Sequence, residues 1–293
     1  MKLIMDFKAD WHDTLKEIMR KEWGMDTSGL TTNIPVHYFN AAQRRIAAKQ
    51  RTLLTSDAFH CPAEHQAGWE LLQKKVIGGL DLTPHLSKLI NDPEKTDPML
   101  NDWGVYHFHL GTDIQNGFAR RTGPLLFARV TDEHFYAIGV YSHEGWTDSA
   151  VVEAVHRNWP KSVARWVMHG VKGERLTDAE RVILRKKRSN SFFLTSDGTT
   201  YGPLGGGTVA SGHNIFSVIK MDIEHDHLDC LERQLVAVTD ELLCELKKAG
   251  YKDEAEVTVK LVLAEGFYAA FFPEYSLLFN VYPRTVQELP LQS

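Results

Sequence analysis

The sequence predicts an α+β protein, and three observations carry that reading. Apolar and polar residues alternate between Trp103 and Tyr141. Leucines recur at helical spacing from Leu228 to Leu246. Three apolar runs near the C-terminus are joined by short connections. Period-two alternation places successive side chains on opposite faces of a strand, and recurrence every three or four residues makes one face of a helix. Strands and helices in separate blocks point to antiparallel sheets with segregated helices. The expected arrangement is a helical N-terminal segment, a central antiparallel sheet and a C-terminal α+β domain with antiparallel strands. The expected boundary divides residues 1–175 from 176–293.

Taken in order, Trp11, Leu15, Ile18 and Met19 mark a first helix. The segment AAQRRIAAK, 41–49, is rich in helix formers, and 51–55 reads as a short strand. A helix is expected over 63–76, with Trp69, Leu72 and Val76 on one face. Thr83-Pro84 opens a short helix, with Thr83 as cap and Pro84 in the first turn. The polar stretch 91–102 reads as turns. Three strands follow: Tyr106 to Leu110, Leu125 to Val130 and Phe135 to Tyr141. Thr147-Asp148 then caps a helix that must stop before Pro160. Another helix runs from Thr177-Asp178 to Arg188. FFLT-SDG-TTYGPL is a hairpin signature with Asp197-Gly198 in its turn. Ile215 to Met221 reads as a strand, 226–249 as a long amphipathic helix, and 257–263, 267–272 and 276–282 as the closing strands.

Composition narrows the functional classes. With 43% hydrophobic and 24% charged residues, the chain has material for a packed core. A net charge of −5 argues against a wholly basic nucleic-acid coat and leaves room for a local basic site. The three cysteines, Cys61, Cys230 and Cys244, are odd in number and far apart, which argues against a disulfide framework. No signal peptide and no membrane-spanning run are read, so a cytoplasmic location is expected. Charge is unevenly spread: residues 157–188 hold ten Lys/Arg against three Asp/Glu, and 222–256 hold eleven Asp/Glu against four Lys/Arg. The basic segment can face either the acidic one or a polyanion.

His107 and His109 stand at alternate positions of one strand, opposite in parity to Tyr106, Phe108 and Leu110. Two imidazoles on one strand face lie roughly 7 Å apart, from a rise of about 3.3 Å per residue. His143 closes the third strand and is expected on the same face. Imidazole titrates near neutrality, so such a group suits acid–base chemistry. With a third histidine and a carboxylate such as Glu144 it also suits zinc. Hydrogen-bonded structural histidines are the third reading. Arg120 and Arg121 precede a Thr-Gly turn, and their planar forks match phosphate oxygens. Arg181, Arg185, Lys186, Lys187 and Arg188 are expected to contact a nucleic-acid backbone. His-x-His recurs at His225 and His227 at an expected helix start, and no metal is assigned there. The glycine-rich YGPLGGGTVASG lacks a phosphate-loop pattern and reads as a connector.

The order of a histidine-bearing strand, arginines, LLFARV, FYAIGVY and His143 resembles RelE-type toxins, the messenger-RNA interferases. The likeness spans residues 103–146. It implies a small antiparallel sheet whose basic and histidine residues cleave RNA without metal. In that likeness Arg120 or Arg121, Arg129 and His143 take the basic positions. The expected function is thus a metal-independent endoribonuclease, as a toxin or phage-defence effector. It would use His107 or His109 as base, His143 as acid, Arg120 or Arg121 as phosphate clamp, and no cofactor. Two alternatives stay open: a protein-binding regulatory module with structural histidines, and a metal-dependent hydrolase using His107, His109 and His143. RNA or a protein is the expected partner.

Overall fold

A computed structural model of the chain describes residues 1–142, 145–264 and 267–283. The protein is α+β. The N-terminal part holds β1 (Lys2–Ile4), α1 (Phe7–Lys21), α2 (Ile34–Gln43), β2 (Thr52–Thr55) and α3 (Gln66–Gly78). The Asp6 carboxylate accepts from the Ala9 N–H at 2.9 Å and starts α1, whose buried face is Phe7, Trp11, Leu15 and Met19. The helix expected over 41–49 is displaced, because α2 begins at Ile34 and ends at Gln43. Arg44 and Arg45 turn their guanidinium groups onto the carbonyls of Leu89, Ile90 and Asp92 instead. Tertiary bonds there override local helix propensity. Thr83 to Asn91 forms two short 3-10 turns rather than one helix.

The segment read as turns hides α4 (Pro98–Trp103). Asp97 caps it, accepting from Met99 and Leu100 at 3.0 Å, and Gly104 ends it at φ 65°. Then come β3 (Tyr106–His109), a small hairpin of β4 (Ile114–Gln115) and β5 (Phe118–Ala119), β6 (Leu125–Val130) and β7 (His134–Tyr141). The central sheet has order β2-β7-β6-β3. The β3–β6 and β6–β7 pairs are antiparallel, as expected, and β2 adds a parallel edge to β7. Alternation divides the sheet's two faces. Tyr106, Phe108, Leu126 and Ala128 join a core with Trp69, Leu72 and Val76 of α3. Leu125, Phe127 and Ile138 join a second core with Trp103.

That second core is completed by α5 (Ala150–Asn158), α6 (Pro160–Val163) and the hairpin of β8 (Phe193–Leu194) and β9 (Thr200–Tyr201), through Val151, Val155, Val163, Phe193 and Tyr201. Between them lies α7 (Asp178–Lys186), opened by a reciprocal capping box of Thr177 and Glu180. The strand expected at Ile215 to Met221 is instead the start of α8 (Ile215–Ala237), with the Asn214 side chain accepting from the Phe216 N–H at 2.8 Å. The expected long helix is divided: α9 (Thr239–Lys248) follows α8 after Val238. The first closing strand also divides. β10 (Glu256–Thr258) pairs in parallel with β1, whereas β11 (Lys260–Ala264), β12 (Phe267–Phe272) and β13 (Leu277–Pro283) form an antiparallel meander.

Packing separates two units. One is 40–217, and the other joins 1–39 to the described residues from 218 to 283. Two contacts make these units. Residues 193–204 pack on the Trp103 face of the central sheet, and β1 hydrogen-bonds to β10, 254 positions later. Among the described residues no helix is long and apolar enough to cross a membrane.

Candidate functional site

Within the 40–217 unit a cavity of about 620 Å³ opens beside β3. That volume lies within the ~300–1,000 Å³ range of pockets that bury most of a small ligand. Its wall includes His107 and His109, so the parity argument brings both imidazoles to one space. They stand opposite Phe127 and Leu125 on β6. The end of β3 is held from behind by His85, which is fully buried and donates from Nδ1 to the His109 carbonyl at 2.9 Å. Burial lowers the His85 pKa, favouring the uncharged ring.

His107 packs edge-on against the Trp146 ring, centroids 4.6 Å apart. Its Nδ1 lies 3.5 Å from Asp97 Oδ2, whose other oxygen caps α4. The carboxylate is thus fixed by the helix before it meets the imidazole. Arg121 also lines the cavity. Its loop is braced by Thr122, whose hydroxyl accepts from the Leu110 N–H at 3.2 Å and donates to the Pro124 carbonyl at 2.7 Å. Arg120 is exposed and is not part of the cavity wall.

From α7, Arg185 and Lys186 reach the wall. Arg185 donates from Nε to Asp102 Oδ2 at 2.9 Å and from Nη1 to the Trp146 carbonyl, and its Cζ lies 4.0 Å from the Trp103 ring centroid. Desolvation raises the Asp102 pKa, and the two nearby guanidinium groups of Arg185 and Arg181 oppose that rise. Arg44 and Lys95 add to the cationic part of the wall, and among the described residues Asp97 is its one acid. Arg44 is committed to backbone carbonyls, and burial lowers its pKa to about 10.

Three expectations about the cations change. Arg181 is 2% exposed, with its Cζ 4.5 Å from the Phe193 ring, so it does not present itself to a polymer. Arg129 is 8% exposed, and its Nη2 donates to the Ser162 carbonyl at 3.4 Å. It is a buried cation, not a surface contact for RNA. Lys187 and Arg188 are exposed, but Arg188 donates to the Ser211 carbonyl at 2.6 Å and neither lines the cavity. His143 and Glu144, the expected third histidine and carboxylate of the site, lie outside the described residues. Among the described residues, no group of three His, Cys, Asp or Glu converges as a metal site requires. At the second His-x-His, His225 Nε2 meets His12 Nε2 at 3.0 Å in the other unit.

Asp97, Asp102 and Trp146 were not singled out from the sequence. Asp97-Pro98 with Gly104 six residues later carries the signature of a capped short helix, which would have exposed the first two. No family model matches this chain, and neither a curated protein nor a solved structure matches it.

Proposed function

We propose that the cavity cleaves RNA by acid–base catalysis without a metal ion. The observation that supports this reading is the convergence of His107, His109, Arg121 and Lys186 on one wall. Cleavage of a phosphodiester beside a 2′-hydroxyl needs a proton acceptor, a proton donor and cations around the developing charge. In this reading His107 takes the 2′-hydroxyl proton, and the Asp97 carboxylate stabilises the resulting imidazolium. His143 or His109 protonates the departing 5′-oxygen. Arg121 and Lys186 neutralise the phosphate, and Arg121 replaces Arg120 in the clamp. The likeness to RelE-type toxins is in keeping with this chemistry.

The test incubates purified protein with single-stranded and folded RNA, with and without EDTA. Wild type should cut in both conditions. His107→Ala and His109→Ala should each lose about 10²–10⁴-fold in rate while keeping the wild-type circular dichroism spectrum. Absence of cleavage of every RNA offered would overturn the reading. Activity lost in EDTA and restored by zinc would select the metal-dependent hydrolase instead.

A further inference from the structure

Around Trp103 the charges of the described residues do not balance. Arg181 and Arg185 project from successive turns of α7, with Cζ atoms 5.8 Å and 4.0 Å from the Trp103 ring centroid. One carboxylate, Asp102, meets them. The next acid to act on Arg181 is Asp178, which is exposed and already accepts from the Ser149 N–H at 3.2 Å. The Arg185–Asp102 pair is nearly closed off, with side chains 11% and 14% exposed. Taking a guanidinium out of water costs several kcal/mol unless a counter-charge meets it, and among the described residues two cations share one.

The hydrogen bonding is incomplete in the same place. Arg185 Nη2, Arg181 Nε and Trp103 Nε1 are buried donors without a partner among the described residues. Buried donors are almost always satisfied by protein, water or a bound ion. Of these three residues only Arg185 lines the cavity. Its Nε is held by Asp102, its Nη1 by the Trp146 carbonyl and its plane by Trp103. A guanidinium fixed at three points and lining the cavity is preorganised to meet an anion held there.

We propose that Arg185 is the anchor for a phosphate group bound in the cavity, and that Asp102 is its positioning residue. The proposal rests on the reading of this cavity as the place where an RNA phosphate is held. It assigns α7 a part unlike the one its basic sequence suggests. A solvated basic face gives weak contacts with any polyanion, whereas Arg185 works singly and from inside. Phosphate fits better than a carboxylate. Its additional oxygens can be shared between Arg185 and the exposed Arg121 and Lys186 on the same wall.

The experiment titrates the whole chain with inorganic phosphate and with uridine 3′-monophosphate, against chloride at matched ionic strength. Heat of binding and thermal midpoint are read together. Wild type should bind both phosphates in preference to chloride. Arg185→Lys keeps the charge and loses the fork, so affinity should fall at least tenfold. Lys74→Ala, on α3, should leave it unchanged. Asp102→Asn should weaken phosphate binding and raise KM for RNA with kcat retained, and Asp102→Glu should recover part of that loss. If Arg185→Lys does not fold, the indole N–H resonances of Trp103 and Trp146 in the wild type decide, because both must move when phosphate is added. Equal phosphate affinity in Arg185→Lys and wild type, no preference over chloride, or unmoved indole signals each overturn the anchor. Phosphate binding without RNA cleavage leaves the anchor standing and removes the ribonuclease. Cleavage with an unchanged KM in Arg185→Lys does the reverse.

Discussion

At the scale of single residues, two imidazoles outside the cavity make the clearest pH prediction. His12 and His225 meet Nε2 to Nε2 at 3.0 Å. Desolvation lowers both pKa values from 6.5, and each ring's environment adds cationic repulsion, from His225 on His12 and from Lys8 on His225. Asp6 and Asp13 around the first, and Asp222, Asp226 and Asp229 around the second, pull the other way without reversing the sign. A folded-state pKa below the unfolded one means that the unfolded chain binds more protons in acid. Stability is therefore present above pH 6.5 and is lost as pH falls through the lowered folded values. His85 has the same sign, so the readout is a difference. Replacing His12 and His225 together by Gln should flatten the drop in melting temperature between about pH 7 and pH 5. Equal slopes in variant and wild type would contradict this. Of these three histidines, the sequence singled out only His225. Strand parity does show that His107 and His109 share a face, because alternation is a local property. It carries no information on what stands 213 positions away, as His12 does from His225.

At the scale of elements, glycines on α3 separate propensity from packing. Alanine is about 1 kcal/mol better than glycine inside a helix. A Cβ at Gly68 would overlap the Leu110 carbonyl oxygen, which belongs to backbone and cannot swing aside. Gly68→Ala should therefore destabilise by about 1–3 kcal/mol, as overpacking does. A Cβ at Gly78 meets only the Leu80 side chain, at 3.6 Å. Gly78→Ala should be neutral or stabilise by up to about 1 kcal/mol. Urea unfolding midpoints check both, and a stabilised Gly68→Ala would refute the contact. The same contrast explains which elements were legible. The Asp197-Gly198 hairpin was, because its turn needs a positive φ, here 93°, that glycine supplies. Ile215 to Met221 was misread because a run such as IFSVI suits a strand as well as a helix start, and only the Asn214 cap tells them apart. The short helix ending at Trp103 was passed over despite its proline and glycine punctuation, since six residues show too little periodicity.

At the scale of the whole molecule, the α+β class was legible in the sequence. Class follows from the repeat within each segment, whereas the units depend on β1 finding β10 across the length of the chain. In the unit built from both ends, Leu228, Leu231, Leu235, Leu242 and Leu246 are buried. α8 meets α1 through Lys8 and Asp229 at 2.7 Å, and meets β12 through the Tyr268 hydroxyl donating to Glu224 at 2.6 Å. Leu235→Asp places an unpaired charge where exposure is 0%, and should unfold or aggregate that unit. An unchanged melting temperature would show that the leucine face is not the core.

Pairing of β1 with β10 also sets a timetable for synthesis. Phe7, Trp11 and Met19 leave the ribosome more than 200 residues before the strand that α1 packs against, where Asp10 accepts from Lys260 and from the Leu261 N–H. At about 5–20 residues per second, that apolar helix face waits roughly 10–40 s for its partner. Residues 40–217 emerge complete within that interval, so the cavity is assembled while the first helix is still unclaimed. A nascent chain stalled near residue 250, short of β11 and with residues 40–217 clear of the exit tunnel, should already protect the cavity unit from protease, and should leave α1 open to cleavage and to chaperone capture.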